Sequence, residues 1–165
     1  MIMKTAENSA RRIHQWFVAN NQTLAAAESL TSGRLQAALT LSSGASSFFL
    51  GGITAYTISI KALLLGVNED EARKVNAVSA SVARQMAFGV LKRMGADYAI
   101  ATTGFAEPSP ADGVPHPKAH YAVVKAEGFS VIAEEMVEYP GLTRNQVQDA
   151  VTADALHGLC KALQI

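Results

Sequence analysis

Apolar and polar positions recur along this chain with two different periods, and each change of period marks an element. Residues 5–20 place Ile13, Trp16 and Phe17 at helical spacing, with Arg11, Arg12 and Gln15 off that face. The short apolar run 23–27 ends at Glu28-Ser29 and predicts a buried strand. Thr31-Ser32-Gly33 offers capping groups for a helix through Ala37, Ala38 and Leu39, which Ser42-Ser43-Gly44 ends. A second strand is predicted over 48–56, with Gly51 and Gly52 near its start, followed by helical turns at 61–64 and 69–74. Ser79 then caps a longer helix that puts Val82, Met86, Val90 and Leu91 on one face. A third strand over 97–103 leads into a Pro- and Gly-rich loop, 104–117. Two strands, 120–126 and 131–139, are joined by Glu127-Gly128, and a last helix over 143–163 aligns Val147, Val151, Leu159 and Leu163.

Strands separated by helices predict an α/β fold with layered helices, and the closing hairpin makes the sheet mixed, with about five strands. No repeat, low-complexity tract or central linker interrupts the pattern, so one domain over residues 1–165 is expected. Fourteen basic and fourteen acidic residues give zero formal charge. No long-range attraction to nucleic acid or to an anionic membrane is therefore expected. The hydrophobic fraction is 49%, and apolar content at zero net charge favours self-association, so a homo-oligomer is expected. The only cysteine, Cys160, excludes a disulfide within the chain, and the polar N-terminal stretch does not read as a signal peptide. Both point to a cytoplasmic protein. No apolar stretch approaches the ~20 residues a membrane span needs.

The chemistry gathers at Ala27-Glu28-Ser29-Leu30-Thr31-Ser32-Gly33. A strand-to-helix turn lifts a side chain off the sheet edge and aims backbone N–H groups at whatever binds there. A serine in that place can be a nucleophile, with helix amides stabilising an oxyanion. The alternative is that Ser29, Thr31 and Ser32 only cap a helix. A nucleophile needs a base, and no histidine is positioned for it: His14 and His157 lie on amphipathic helices. His116 and His120 flank Pro117-Lys118 without a third ligand, so no metal is expected. Lys61, between Ile60 and Ala62-Leu63-Leu64-Leu65, is the lysine embedded in an apolar run. Burial would lower its pKa and free some neutral amine, with Tyr56 five residues earlier able to hold or relay a proton. The alternative is a snorkelling lysine on an amphipathic turn.

Ala27-Glu28-Ser29-x-Thr31-x-Gly33, then Gly44-x-Ser46-x-x-Phe49-x-x-Gly52-x-x-x-Tyr56-x-x-x-x-Lys61-x-x-x-x-Gly66-Val67, resemble the CinA C-terminal-domain family. Ala77-Val78-Ser79, Gly95-Ala96-Asp97-Tyr98-Ala99 and Thr103-Gly104-x-Ala106-x-Pro108 extend the resemblance over nearly the whole chain. It implies a three-layer α/β/α sandwich on a mixed sheet. It also implies metal- and cofactor-free amidohydrolysis of nicotinamide mononucleotide to the nicotinic acid nucleotide and ammonia. By that resemblance Ser29 is the nucleophile and Lys61 its base, with Tyr56 and Ser46 assisting. Thr31, Gly33, Thr103, Gly104 and Arg144 would bind a small nucleotide or amide ligand. The chain departs from the family pattern at Leu30 and Ser32 in the first turn and at Phe105 and Glu107 after the third strand. It departs again in the loop 109–117, which keeps only Gly113, in His116-Pro117-Lys118-Ala119-His120, and at Gln148, where the family carries a second arginine. Glu107 adds negative charge where a phosphate would bind. A catalytically degenerate relative that binds a ligand or a protein is the alternative function.

Overall fold

Alanines fill one face of the first and third strands, Ala25 and Ala27 with Ala99 and Ala101, so helices can pack close on that side of the sheet. A computed structural model describes residues 2–165, with side chains from Ala6 onward. Its elements are α1 (Ile2–Ala19), β1 (Leu24–Glu28), α2 (Arg34–Leu39), β2 (Phe49–Thr54) and α3 (Ile58–Leu65). They continue with α4 (Glu69–Lys74), α5 (Ala80–Met94), β3 (Tyr98–Phe105), β4 (Lys118–Lys125), β5 (Ser130–Glu138) and α6 (Arg144–Ala162). The five strands form one sheet in the order β2-β1-β3-β4-β5. β1 runs parallel to β2 and β3, while β4 is antiparallel to both of its neighbours, β3 and β5. The predicted mixed α/β sheet is therefore present.

The period-two alternation of a strand divides the core between two faces. Leu24, Ala26, Ile100 and Val123 face one layer, built from Ile13 and Phe17 of α1, Leu35 and Leu39 of α2, and Leu156 and Leu159 of α6. Ala25, Ala27, Ala99 and Ala101 face the other, where Val82, Met86 and Val90 of α5 and Leu65 of α3 cover them. The result is a helix–sheet–helix sandwich. A third apolar group, including Leu30, Ala106, Ala119, Val147 and Val151, packs the start of α6 over the carboxyl ends of β1 and β3.

Several element bounds differ from the sequence-based expectation by a few residues, and two of the differences have a direct physical reason. The turn expected at 61–64 is a full helix from Ile58, because Thr57 caps it by accepting from the Ile60 amide at 3.4 Å. The third strand runs on to Phe105 because the antiparallel ladder continues through Gly104↔Ala119 and Phe105↔Lys118. A side chain at Gly104 would meet the Lys118 carbonyl oxygen at 2.5 Å, so only glycine fits.

Helices α3 and α5 approach at Gly89, where a Cβ would stand 1.9 Å from the Leu65 carbonyl oxygen. Backbone cannot yield there without moving α3. Gly89→Ala is expected to lower stability by roughly 1–3 kcal/mol through overpacking, outweighing the ~1 kcal/mol helix-propensity gain. Chemical denaturation checks it, and an unchanged midpoint would show that α3 shifts freely.

Candidate active site

The chain leaves β1 to one side to make β2 and returns on the other to make β3, so the strand order reverses around β1. Such a switch point opens a crevice at the carboxyl ends of the strands, and Ser29 is the residue that follows β1 into it. The backbone there is held from both flanks. The Ala55 amide donates to the Glu28 carbonyl at 2.9 Å, and the Ser29 amide donates to the Thr102 carbonyl at 3.1 Å. The crevice is a cleft of about 640 Å³ whose lining includes Ser29, Tyr56, Lys61, Thr103, Glu107 and Arg144.

Lys61 enters this cleft from the first turn of α3, with its side chain turned back toward the helix start. It is 1% exposed, and Ser29 is 6% exposed. Its Nζ lies 2.9 Å from Ser29 Oγ, 2.8 Å from the Ala55 carbonyl oxygen and 2.8 Å from the Tyr56 carbonyl oxygen. Carbonyls only accept, so two N–H bonds of the amine are committed to Ala55 and Tyr56. The remaining tetrahedral direction points at Ser29 Oγ. In the ammonium form that direction carries a third N–H; in the neutral amine it carries the lone pair, and the serine hydroxyl donates to it. Burial without an anionic partner pulls the Lys61 pKa from 10.5 down to about 8. Lys61 does not snorkel.

The other sequence-predicted residues divide. Tyr56 contributes its main-chain carbonyl to Lys61, but the residue is 56% exposed and its hydroxyl accepts from Arg144 Nη2 at 2.8 Å. The expected approach of that hydroxyl to Ser29 and Lys61 is absent, because the ring turns toward α6. Ser46 is exposed and precedes β2, whose Phe49 pairs with Leu24 at the start of β1. It therefore sits at the far end of the strands from Ser29. Thr31 is fully buried and shares a 2.8 Å hydrogen bond with Thr102 beneath the turn. Thr103 and Gly104 line the cleft, although the Thr103 hydroxyl donates to the Ala77 carbonyl at 2.7 Å. Arg144 lines it as well, paired with Glu107 at 2.7 Å.

The most consequential residue missed as a functional one is Glu28. Its carboxylate is fully buried and accepts from the amides of Gly33 at 2.9 Å, Leu35 at 3.1 Å and Gln36 at 2.9 Å. A side chain from the preceding strand thus caps α2, stabilised by the positive end of the helix dipole. Gly33, at φ 93°, provides the left-handed turn that brings those amides round. This corrects both readings of the turn. Thr31 and Ser32 do not cap the helix, and the α2 amides are occupied rather than open to an oxyanion. Gln148 was also missed in its actual role. It is 5% exposed on α6 and donates from Nε2 to the Leu30 carbonyl at 2.7 Å, pinning the Leu30–Thr31 peptide, the second after Ser29. An acid directly before a strand-end serine was the one available signal for Glu28; Gln148 stood out in the sequence only as a replaced family arginine, and nothing there pointed to its bond with Leu30.

Comparison with known proteins places these residues in a family context. Residues 6–163 match the family model described as the CinA C-terminal domain. A CinA-like protein of Synechococcus sp. (strain RCC307) is 38% identical over 152 residues, covering 92% of this chain and 36% of that protein. A CinA-like protein of Frankia casuarinae is 43% identical over 111 residues, 67% of this chain and 26% of that protein. The chain therefore spans about a third or less of these curated relatives. Among solved structures, the competence/damage inducible protein CihA from Agrobacterium tumefaciens superposes with a TM-score of 0.88 at 31% identity. That match covers 97% of this chain and 96% of that one. A CinA-superfamily protein from Escherichia coli gives a TM-score of 0.87 at 29% identity, covering 96% and 90%.

The depressed Lys61 pKa has a consequence for folding. The unfolded chain keeps the proton up to about pH 10.5 while the folded chain releases it near pH 8, so in that window the unfolded state binds more protons. Stability is expected to rise with pH from about 8 to 10.5, by up to about 3 kcal/mol from this group. Lys61→Met removes the gain. Urea denaturation of both proteins across that range checks it; parallel pH profiles would show an ordinary lysine.

Proposed function

Because this chain belongs to the CinA C-terminal-domain family, we propose that it is a Ser–Lys amidohydrolase acting on a carboxamide of the nicotinamide-nucleotide type. One observation carries the reading: the Lys61 amine stands 2.9 Å from Ser29 Oγ with its two other bonding directions taken by carbonyls. A base must reach its proton at about that distance, and here the lone pair of the neutral amine has one direction left to it.

The steps follow from that geometry. Ser29 Oγ attacks the amide carbonyl carbon while its proton passes to Lys61 Nζ, and the carbonyl electron pair moves onto oxygen. The Leu30 amide, next in sequence to the nucleophile on a residue lining the cleft, donates to no protein atom among the described residues. It is the donor assigned to that oxyanion. Lys61 then returns the proton to the amide nitrogen as the C–N bond breaks, and ammonia leaves an ester on Ser29. Water attacks the ester, gives its proton to Lys61, and the acid departs as the Ser29 hydroxyl is restored.

The second reading, a ligand-binding module without turnover, draws on the engagement of Arg144 by Glu107 and Tyr56. Ammonia release from a panel of nicotinamide-bearing amides separates the two. Activity is expected to rise with pH to a plateau, with a midpoint near 8 where Lys61 loses its proton. Ser29→Ala and Lys61→Met are each expected to lower turnover by at least ~100-fold, the scale of a lost acid–base group. A midpoint near 10, or turnover surviving either substitution, would overturn the Ser–Lys assignment.

A further inference from the structure

The cleft is lined by four charged side chains: Lys61, Arg73, Arg144 and Glu107. Lys61 is buried at the floor with its bonding directions filled. Arg73 is ion-paired with Glu69 one helical turn back on α4. Arg144, the first residue of α6, donates through Nη1 to Glu107 Oε2 at 2.7 Å and through Nη2 to the Tyr56 hydroxyl at 2.8 Å. Each guanidinium of the lining is thus already matched to a carboxylate. The cleft mouth, with Arg144 and Glu107 side by side, presents no net positive charge.

This distribution bears on the kind of amide that can enter. A phosphate gains most from a guanidinium whose paired N–H groups are both available. Here it would have to expel a carboxylate that is tethered to the same protein and then remain beside it. The Arg144–Glu107 pair is half exposed, at 43% and 61%, so breaking it is cheap in itself. The larger effect falls on the ligand: a phosphate meets a neutralised cation and a nearby like charge. A neutral or cationic group at the mouth meets neither obstacle, and a cationic one is attracted by Glu107.

Resting on the amidohydrolase reading, we propose that Glu107 sets the charge class of the substrate. The cleft takes nicotinamide-type amides that carry no phosphate in preference to the phosphorylated nucleotide. Glu107 acts as a specificity-determining residue by occupying Arg144, and the proton chemistry at Ser29 and Lys61 is independent of it.

The test uses nicotinamide riboside and nicotinamide mononucleotide, which differ by one phosphate, with binding followed by calorimetry and turnover by ammonia release. The wild-type protein is expected to show the higher kcat/KM on the riboside. Glu107→Gln, an exposed near-isosteric change, is expected to lower KM for the mononucleotide about five- to tenfold, with the riboside changing less than about twofold. Adding Arg144→Gln to Glu107→Gln is expected to remove that gain, which ties it to the released guanidinium. A substrate preference that Glu107→Gln leaves unmoved overturns the proposal, as does a wild-type preference for the mononucleotide. Either result, with turnover intact, leaves the amidohydrolase reading standing. If neither compound binds or reacts, that reading fails and the charge-class proposal with it.

Discussion

An ammonium withdrawn from water keeps its proton firmly only where a carboxylate offsets the lost hydration; oxygen dipoles alone offset part of it, and the proton comes off more easily. Lys61 has the dipoles only: two main-chain carbonyls and a serine hydroxyl, all within 2.9 Å. The Ala55 and Tyr56 carbonyls belong to the segment leaving β2, the amine to α3, and Ser29 to the turn leaving β1. Three separate pieces of chain must therefore arrive at one point with little tolerance, and much of the surrounding structure serves that meeting.

The requirement reaches into ordinary packing. Alanines of β1 and β3 let the layer of α3 and α5 sit close to the sheet, and Gly89 lets α5 hold α3 at van der Waals distance from its backbone. Glu28 binds the start of α2 with three amides, while Gln148 ties Leu30 to α6. These two buried polar side chains bracket Ser29 from either side of the turn. Each is hydrogen-bonded, which is the condition for burying such groups without a large penalty.

Much of this was legible in the sequence because periodicity is a local property. The apolar runs at 23–27 and 97–103, the Ser79 cap and the amphipathic pattern of α5 each carry their own signal. Lys61 was legible too, because a lone cation inside an apolar run has few places to go. What stayed hidden depends on long-range placement. The Tyr56 hydroxyl is held by Arg144, 88 residues away along the chain, and so points away from Lys61. That Ser46 lies at the wrong end of the strands follows from the parallel register of β1 and β2, which no local pattern encodes. Glu28 reads locally as the polar end of a strand, and only the path of the turn reveals it as the cap of the next helix.

The central claim is that Lys61 loses its proton far more easily than a free lysine and turns its lone pair toward Ser29. Nuclear magnetic resonance of the Lys61 side-chain amine, in protein carrying labelled lysine and assigned by comparison with Lys61→Met, measures this directly. A titration midpoint near pH 8 is the predicted result, with the shift shared by the Ser29 resonances. An amine that stays charged until about pH 10.4, the range of an exposed lysine, would contradict the account.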